Sequence, residues 1–181
     1  MPGVFCRFIG GMVLVLAVTW FAASVIFAGF NEQVAAKPDE EQVTVPEARR
    51  QAALLHTTLH ATLQAMHHRY YREDAGLPIP AATVKEIFAE LEQESSVKLR
   101  WLVVEGQAMN TDHQAKTPFE RDAVDKLKSG SPFVEETRDG TYRRAAPITL
   151  SSHCLKCHVP DRKSTKNRTA GLIISMPVIE E

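Results

Sequence analysis

Apolar and polar positions change their period several times along the chain, and each change marks an element. From Phe8 to Phe30 the residues are almost all apolar and uncharged, bounded by Arg7 before and by Asn31 and Glu32 after. That length suits a bilayer-crossing helix, and the positive-inside rule places the rest of the chain outside the membrane. Residues 32–45 turn polar and acidic through Lys37-Pro38-Asp39-Glu40-Glu41 and read as a linker. Thr44-Val45-Pro46-Glu47 has the spacing of a capping box, and no glycine or proline interrupts the run from Glu47 to Tyr71. A long first helix is predicted there, with Leu55, Leu59, Leu63, Met66 and Tyr70 as its apolar stripe.

Pro78 and Pro80 close that region, and Val84, Ile87, Phe88 and Leu91 then recur at helical spacing to about Gln93. From Lys98 to Val104 branched and aromatic residues predominate, with Leu99, Trp101 and Val103 on one side of a predicted strand. Thr117-Pro118-Phe119-Glu120 is a second helix start, leading through Val124 and Leu127 to a stop at Gly130. Phe133 to Thr137 and Thr141 to Ala145 flank a hairpin turn at Asp139-Gly140, and Leu172 to Val178 supplies the last strand. Helices leading into an antiparallel sheet make an α+β domain. The organisation is residues 1–31 as membrane anchor or uncleaved signal, 32–45 as linker and 46–181 as the folded domain.

Chemistry concentrates on the loop expected between the last two strands, at Cys154-Leu155-Lys156-Cys157-His158. In a CxxCH run both thiols can take up the vinyl groups of one haem, while the adjacent imidazole binds iron from the proximal side. The rival is half of a zinc site built from Cys154, Cys157 and two histidines. The chain has three cysteines, and the remaining one, Cys6, belongs to the N-terminal region, so zinc must recruit distant histidines. One covalent haem c, through Cys154 and Cys157 with His158 on the iron, is the expectation.

Charge and compartment refine this picture. A formal net charge of −1 over 181 residues offers no bulk attraction for nucleic acid. The basic run Arg162, Lys163, Lys166 and Arg168 is too short to change that, and reads as solvated surface or as a neighbour of haem propionates. Bacterial covalent haem attachment occurs outside the cytoplasmic membrane, so motif and apolar segment agree on a single-pass membrane protein with a periplasmic domain. A cleaved signal ending near Val34-Ala35-Ala36 is the competing reading, and it exports the domain equally. No nucleophile constellation, phosphate loop or hydrolytic metal cluster stands in the sequence, so no enzyme is expected. Peroxidase chemistry at an open haem is the one catalytic alternative.

The sixth iron ligand decides whether such a haem only exchanges electrons or also binds gases. His56, His60 and His67 fall in one arc beside the stripe of the first helix. His67, next to Met66 and two tyrosines, ranks first, with His68, His60 and Met66 as alternatives. Met109 and His113 are expected in a surface loop, and His153 is too close to Cys154 to reach the opposite face. Arg143 and Arg144 alternate across a strand, and one of them is expected to meet a propionate.

The segment from about Pro46 to Val178 resembles the bacterial c-type haem PAS-like sensor domains. The resemblance rests on Met66-His67-His68-Arg69-Tyr70-Tyr71 ending the long helix, on Thr117-Pro118-Phe119-Glu120, on Tyr142-Arg143-Arg144-Ala145-Ala146-Pro147-Ile148, and on the CxxCH with Gly171 beyond. It implies a PAS-like antiparallel sheet with a helical N-terminal extension and one covalent haem. It also implies sensing of redox state or small ligands, coupled in many members to a kinase or chemotaxis-type output. The distal ligand varies in that family, cysteine serving in some, and His67 is the residue that takes the role here. With few residues after the last strand, signalling is expected to need a redox or signalling partner protein, and a cytochrome c-like electron carrier without output is the alternative.

Overall fold

A computed structural model of the chain describes residues 42–107, 110–158, 164 and 166–179, leaving aside the side chains at 73 and 156–158. The apolar segment from Phe8 to Phe30, most of the linker, and Met109, Arg162 and Lys163 lie outside the described residues. Among those that are described, no helix is long and apolar enough to cross a membrane.

The order of elements is α1 (Val45–Arg69), α2 (Pro80–Ser95), β1 (Lys98–Val103), α3 (Pro118–Lys128), β2 (Val134–Arg138), β3 (Thr141–Leu150), α4 (Ser152–His158) and β4 (Arg168–Pro177). The strands make one four-stranded sheet in the order β1-β4-β3-β2. Every neighbouring pair is antiparallel. Strand alternation sends successive side chains to opposite faces, and here both faces are buried. Trp101, Tyr142, Ile148, Leu172, Ile174 and Met176 pack with Leu59 and Leu63 of α1 and Val84 and Phe88 of α2. Leu102, Ala145 and Ile173 pack on the other face with Phe119, Ala123 and Leu127 of α3. The sheet is therefore the middle of three layers.

Most predicted elements are present, and the differences have local causes. Leu55, Leu59, Leu63 and Met66 face the core as expected. Tyr70, spaced to continue the stripe, is instead the C-cap of α1 and is 74% exposed, because the helix ends one residue before it. Only one of the two expected capping boxes closes. Thr117 accepts from the Glu120 amide at 3.2 Å while Glu120 accepts from the Thr117 amide at 3.0 Å. Thr44 makes no side-chain cap bond, and the Glu47 carboxylate binds Arg50 and Gln51 instead. The hairpin turns at Asp139 and Gly140 with φ of 50° and 63°, both in the left-handed region that a two-residue hairpin turn requires.

β3 runs five residues beyond the predicted strand, through Pro147 to Leu150. A proline is admissible there because β2 pairs no further than Ala145, so Pro147 faces a ladder only on the β4 side, opposite Gly171. A Cβ at Gly171 would stand 3.2 Å from Leu102 Cβ and 3.4 Å from Leu127 Cδ1, so the absent side chain is what lets α3 close on the sheet. The segment carrying CxxC is a short helix, α4, where the sequence suggested a loop. The folded domain also begins earlier than residue 46: Val43 bridges Val178 in parallel, and the Ile179 amide donates to the Val43 carbonyl at 3.1 Å.

Candidate functional site

Three packed elements leave a cavity at one end of the sheet. It has a volume of about 390 Å³, within the roughly 300–1,000 Å³ usual for small-molecule and cofactor sites. Its floor is Trp101 to Val104 of β1 and its continuation, Ala170 of β4, and Ile148 to Leu150 of β3; Leu63 of α1, Ile79 at the start of α2 and Ala81 within it close it above. The lining is dominated by apolar side chains, as a flat hydrophobic cofactor requires.

Cys154 and His67 stand on the wall of this one cavity. Cys154 is 3% exposed, with its Sγ 3.5 Å from Ser151 Oγ at the start of α4. Cys154, Cys157 and His158 all fall within α4, at the i, i+3 and i+4 spacing of neighbours along a helix face. The helix packs against α1 and β3, the elements that bring His67 and Ile148 to the cavity. His67 is buried, and its Nδ1 lies 2.9 Å from the Leu63 carbonyl one turn back. With Nδ1–H donating there, Nε2 is the nitrogen that carries the lone pair, the arrangement usual for a metal-binding imidazole.

The alternatives to His67 are placed elsewhere. His68 is exposed and meets His153 edge to face at 5.7 Å. Met66 packs into the main core and does not line the cavity. His60 accepts the Thr149 amide on Nε2 at 3.3 Å, and His56 lies 3.1 Å from the Pro147 carbonyl, so both rings fasten α1 to β3. His113, expected on the surface, lines the cavity with its Nε2 buried. The sequence signal for it is Arg100, a charge set between the apolar Leu99 and Trp101 of β1, whose partners hold the His113 turn in place. Among the described residues no group of three or more His, Cys, Asp or Glu side chains is arranged to hold a metal ion.

A family model, Tll0287-like, matches residues 40–176. The chain belongs to the Tll0287-like family. The crystal structure of the cyanobacterial haem-protein Tll0287 has the same fold, with a TM-score of 0.59 at 15% identity, over 75% of this chain and 98% of that one. No curated protein sequence matches. Family model and fold together support the c-type haem PAS-like sensor domain resemblance read from the sequence.

In this Tll0287-like domain the two hairpin arginines stand away from the cavity. Neither Arg143 nor Arg144 lines the cavity. Arg143 pairs across the hairpin with Glu136 at 3.2 Å, and Arg144 pairs with Glu135 at 3.4 Å while lying 3.8 Å over the Phe133 ring. Both are spent on the β2–β3 hairpin, because the adjacent strand supplies carboxylates at the matching register. Burial alone would raise the Glu135 carboxyl, but hydrogen bonds from Arg49 and from Tyr142 Oη at 2.9 Å hold it below its ordinary value.

The paired rings of His56 and His60, 5.7 Å apart, make the α1–β3 seam sensitive to acid. Burial lowers the pKa of both, and for His56 the neighbouring His60 and Arg144 lower it further against the raising effect of the Pro147 bond. A histidine depressed in the folded state binds its proton more readily when unfolded. Its stabilising contribution is therefore complete above the unfolded value of about 6.5 and is lost as pH falls below it. The Tm is expected to fall between pH 7.5 and 5.5, and the double substitution His56→Gln/His60→Gln to flatten that slope. An unchanged slope in thermal melts of the double variant would place the acid sensitivity elsewhere.

Proposed function

We propose that this domain carries one haem c bound through Cys154 and Cys157, with His158 as proximal and His67 as distal iron ligand. In this reading it is a membrane-tethered redox or small-ligand sensor on the periplasmic side of the cell membrane, and not an enzyme. The observation that carries it is a single apolar cavity walled by both Cys154 and the buried His67. The family and the shared fold with a cyanobacterial haem protein support it.

A bound haem supplies a one-electron iron couple and, when its sixth position opens, a site for a diatomic gas. The chain supplies the rest. The Leu63 carbonyl orients the His67 ring, the apolar walls exclude water, and α1 links His67 to the β3 seam formed by His56, His60 and Gln64, whose amide donates to the Thr149 carbonyl at 2.7 Å. Loss or exchange of the sixth ligand would shift α1 relative to β3, a displacement that a partner protein can read.

Absorption spectra of the full chain, matured with a haem c assembly system, test this directly. The expected product is red, low-spin when ferric, and binds carbon monoxide when ferrous, whereas His67→Ala is high-spin in both states. A spectrum indifferent to carbon monoxide in the ferrous state would end ligand sensing and leave redox sensing or electron transfer. A colourless product containing zinc would end the haem reading.

A further inference from the structure

The haem macrocycle is not symmetric, and its asymmetry selects one end of the cavity. Vinyl groups and propionates occupy opposite edges of the ring, so a haem whose vinyl carbons are bonded to cysteines of α4 directs its carboxylates away from that helix. The sheet register shows where that leads. Ala170 of β4 pairs with Ile148 of β3 and with Val103 of β1, and all three line the floor. β3 runs into α4, so the floor extends from the cysteine side across β4 to β1, two strand spacings or about 9.6 Å.

At the β1 side the wall becomes polar. Asn110 and His113 come from the β1–α3 connection, and Lys85 comes from α2. The connection is built to a fixed shape. Arg100 Nη2 donates to the carbonyls of Asp112 at 2.6 Å and Gln114 at 2.5 Å, which flank His113 on either side. Its Nη1 donates to Glu120 Oε1 at 2.5 Å. Glu120, 8% exposed, also accepts the Lys116 and Thr117 amides. A half-buried guanidinium–carboxylate pair is a poor source of stability but fixes geometry well, and here the geometry it fixes is that of the His113 turn. Asn110 Oδ1 accepts the Asp112 amide at 2.9 Å, which leaves its amide nitrogen as the donor of this side chain. Glu105, which lines the cavity at this end, accepts the Thr169 amide at 2.5 Å and is thereby tied to the β4 backbone.

We propose that Lys85, Asn110 and His113 form a carboxylate-binding site that holds the haem propionates, the role the sequence suggested for Arg143 or Arg144. The site rests on the haem reading above. Lys85 supplies one positive charge and Asn110 and His113 supply N–H donors, and a cation placed there favours the ferrous state, since it opposes the extra positive charge of ferric iron.

Resonance Raman spectra and redox titrations of the matured full chain test it. The propionate bending bands are expected to shift in Lys85→Ala and in His113→Ala, and to stay in place in Arg143→Ala. The reduction potential is expected to fall in Lys85→Ala. Bands that stay in place in both Lys85→Ala and His113→Ala, or that move in Arg143→Ala alone, would overturn the site while leaving the haem intact. If His113→Ala does not mature, Lys85→Ala at its exposed position on α2 decides alone. A wild-type chain without haem bands would remove the haem reading and this site together.

Discussion

The double substitution Cys154→Ser/Cys157→Ser is expected to abolish covalent haem completely. Two thioethers leave the cofactor with the protein in acidified organic solvent, whereas iron–histidine bonds alone do not survive protonation of the imidazole. Cys154→Ser by itself is expected to leave one bond, through Cys157, and a pyridine haemochrome spectrum displaced toward that of a haem with a free vinyl group. The argument for Cys154 is structural as well as chemical. Its thiol is buried at the cavity wall, where a merely structural cysteine would be expected to pack against core side chains on every side. A double variant that still retained haem through solvent extraction would disprove attachment at α4.

Trp101→Ala is expected to be the most damaging single change to the fold, costing about 3–5 kcal/mol and lowering the Tm by roughly 10 °C or more. Trp101 sits in β1 opposite Leu172, 8% exposed, with its ring 4.9 Å from Phe88 and its Nε1 donating to the Ala81 carbonyl at 3.2 Å. It fastens α2 to the sheet and is also part of the cavity wall. Its removal enlarges the cavity and leaves the Ala81 carbonyl without its indole donor. Urea unfolding of the substituted chain checks the cost, and a loss below about 1 kcal/mol would show that α2 closes over the gap.

Much of this was legible in the sequence because local rules and global packing agree. The alternation of Leu99 and Trp101, the stripe from Leu55 to Met66, the Thr117 capping box and the Asp139-Gly140 turn each carry a short-range physical cause, and each stands where that cause puts it. For the hairpin arginines, strand alternation tells which face a side chain occupies but not which partner waits there. Glu135 and Glu136 on β2 claimed them. His113 was hidden for the opposite reason. A polar turn reads as surface, and only the fold shows Arg100 reaching from β1 to hold that turn over the cavity. His60 shared its helical arc with His67, but an arc does not report that a backbone amide of β3 already occupies its nitrogen.

The bridge between Val43 and Val178 fixes where the chain enters the domain. The chain enters at the far end of β4 from Ala170, so eight residues of extended strand, about 26 Å, separate the point of attachment from the cavity floor. A load on the preceding chain pulls on the foot of this central strand, through the Val43–Ile179 bond and the Val178–Gly140 bond that ties in the hairpin. The cavity lies at the opposite end of that strand.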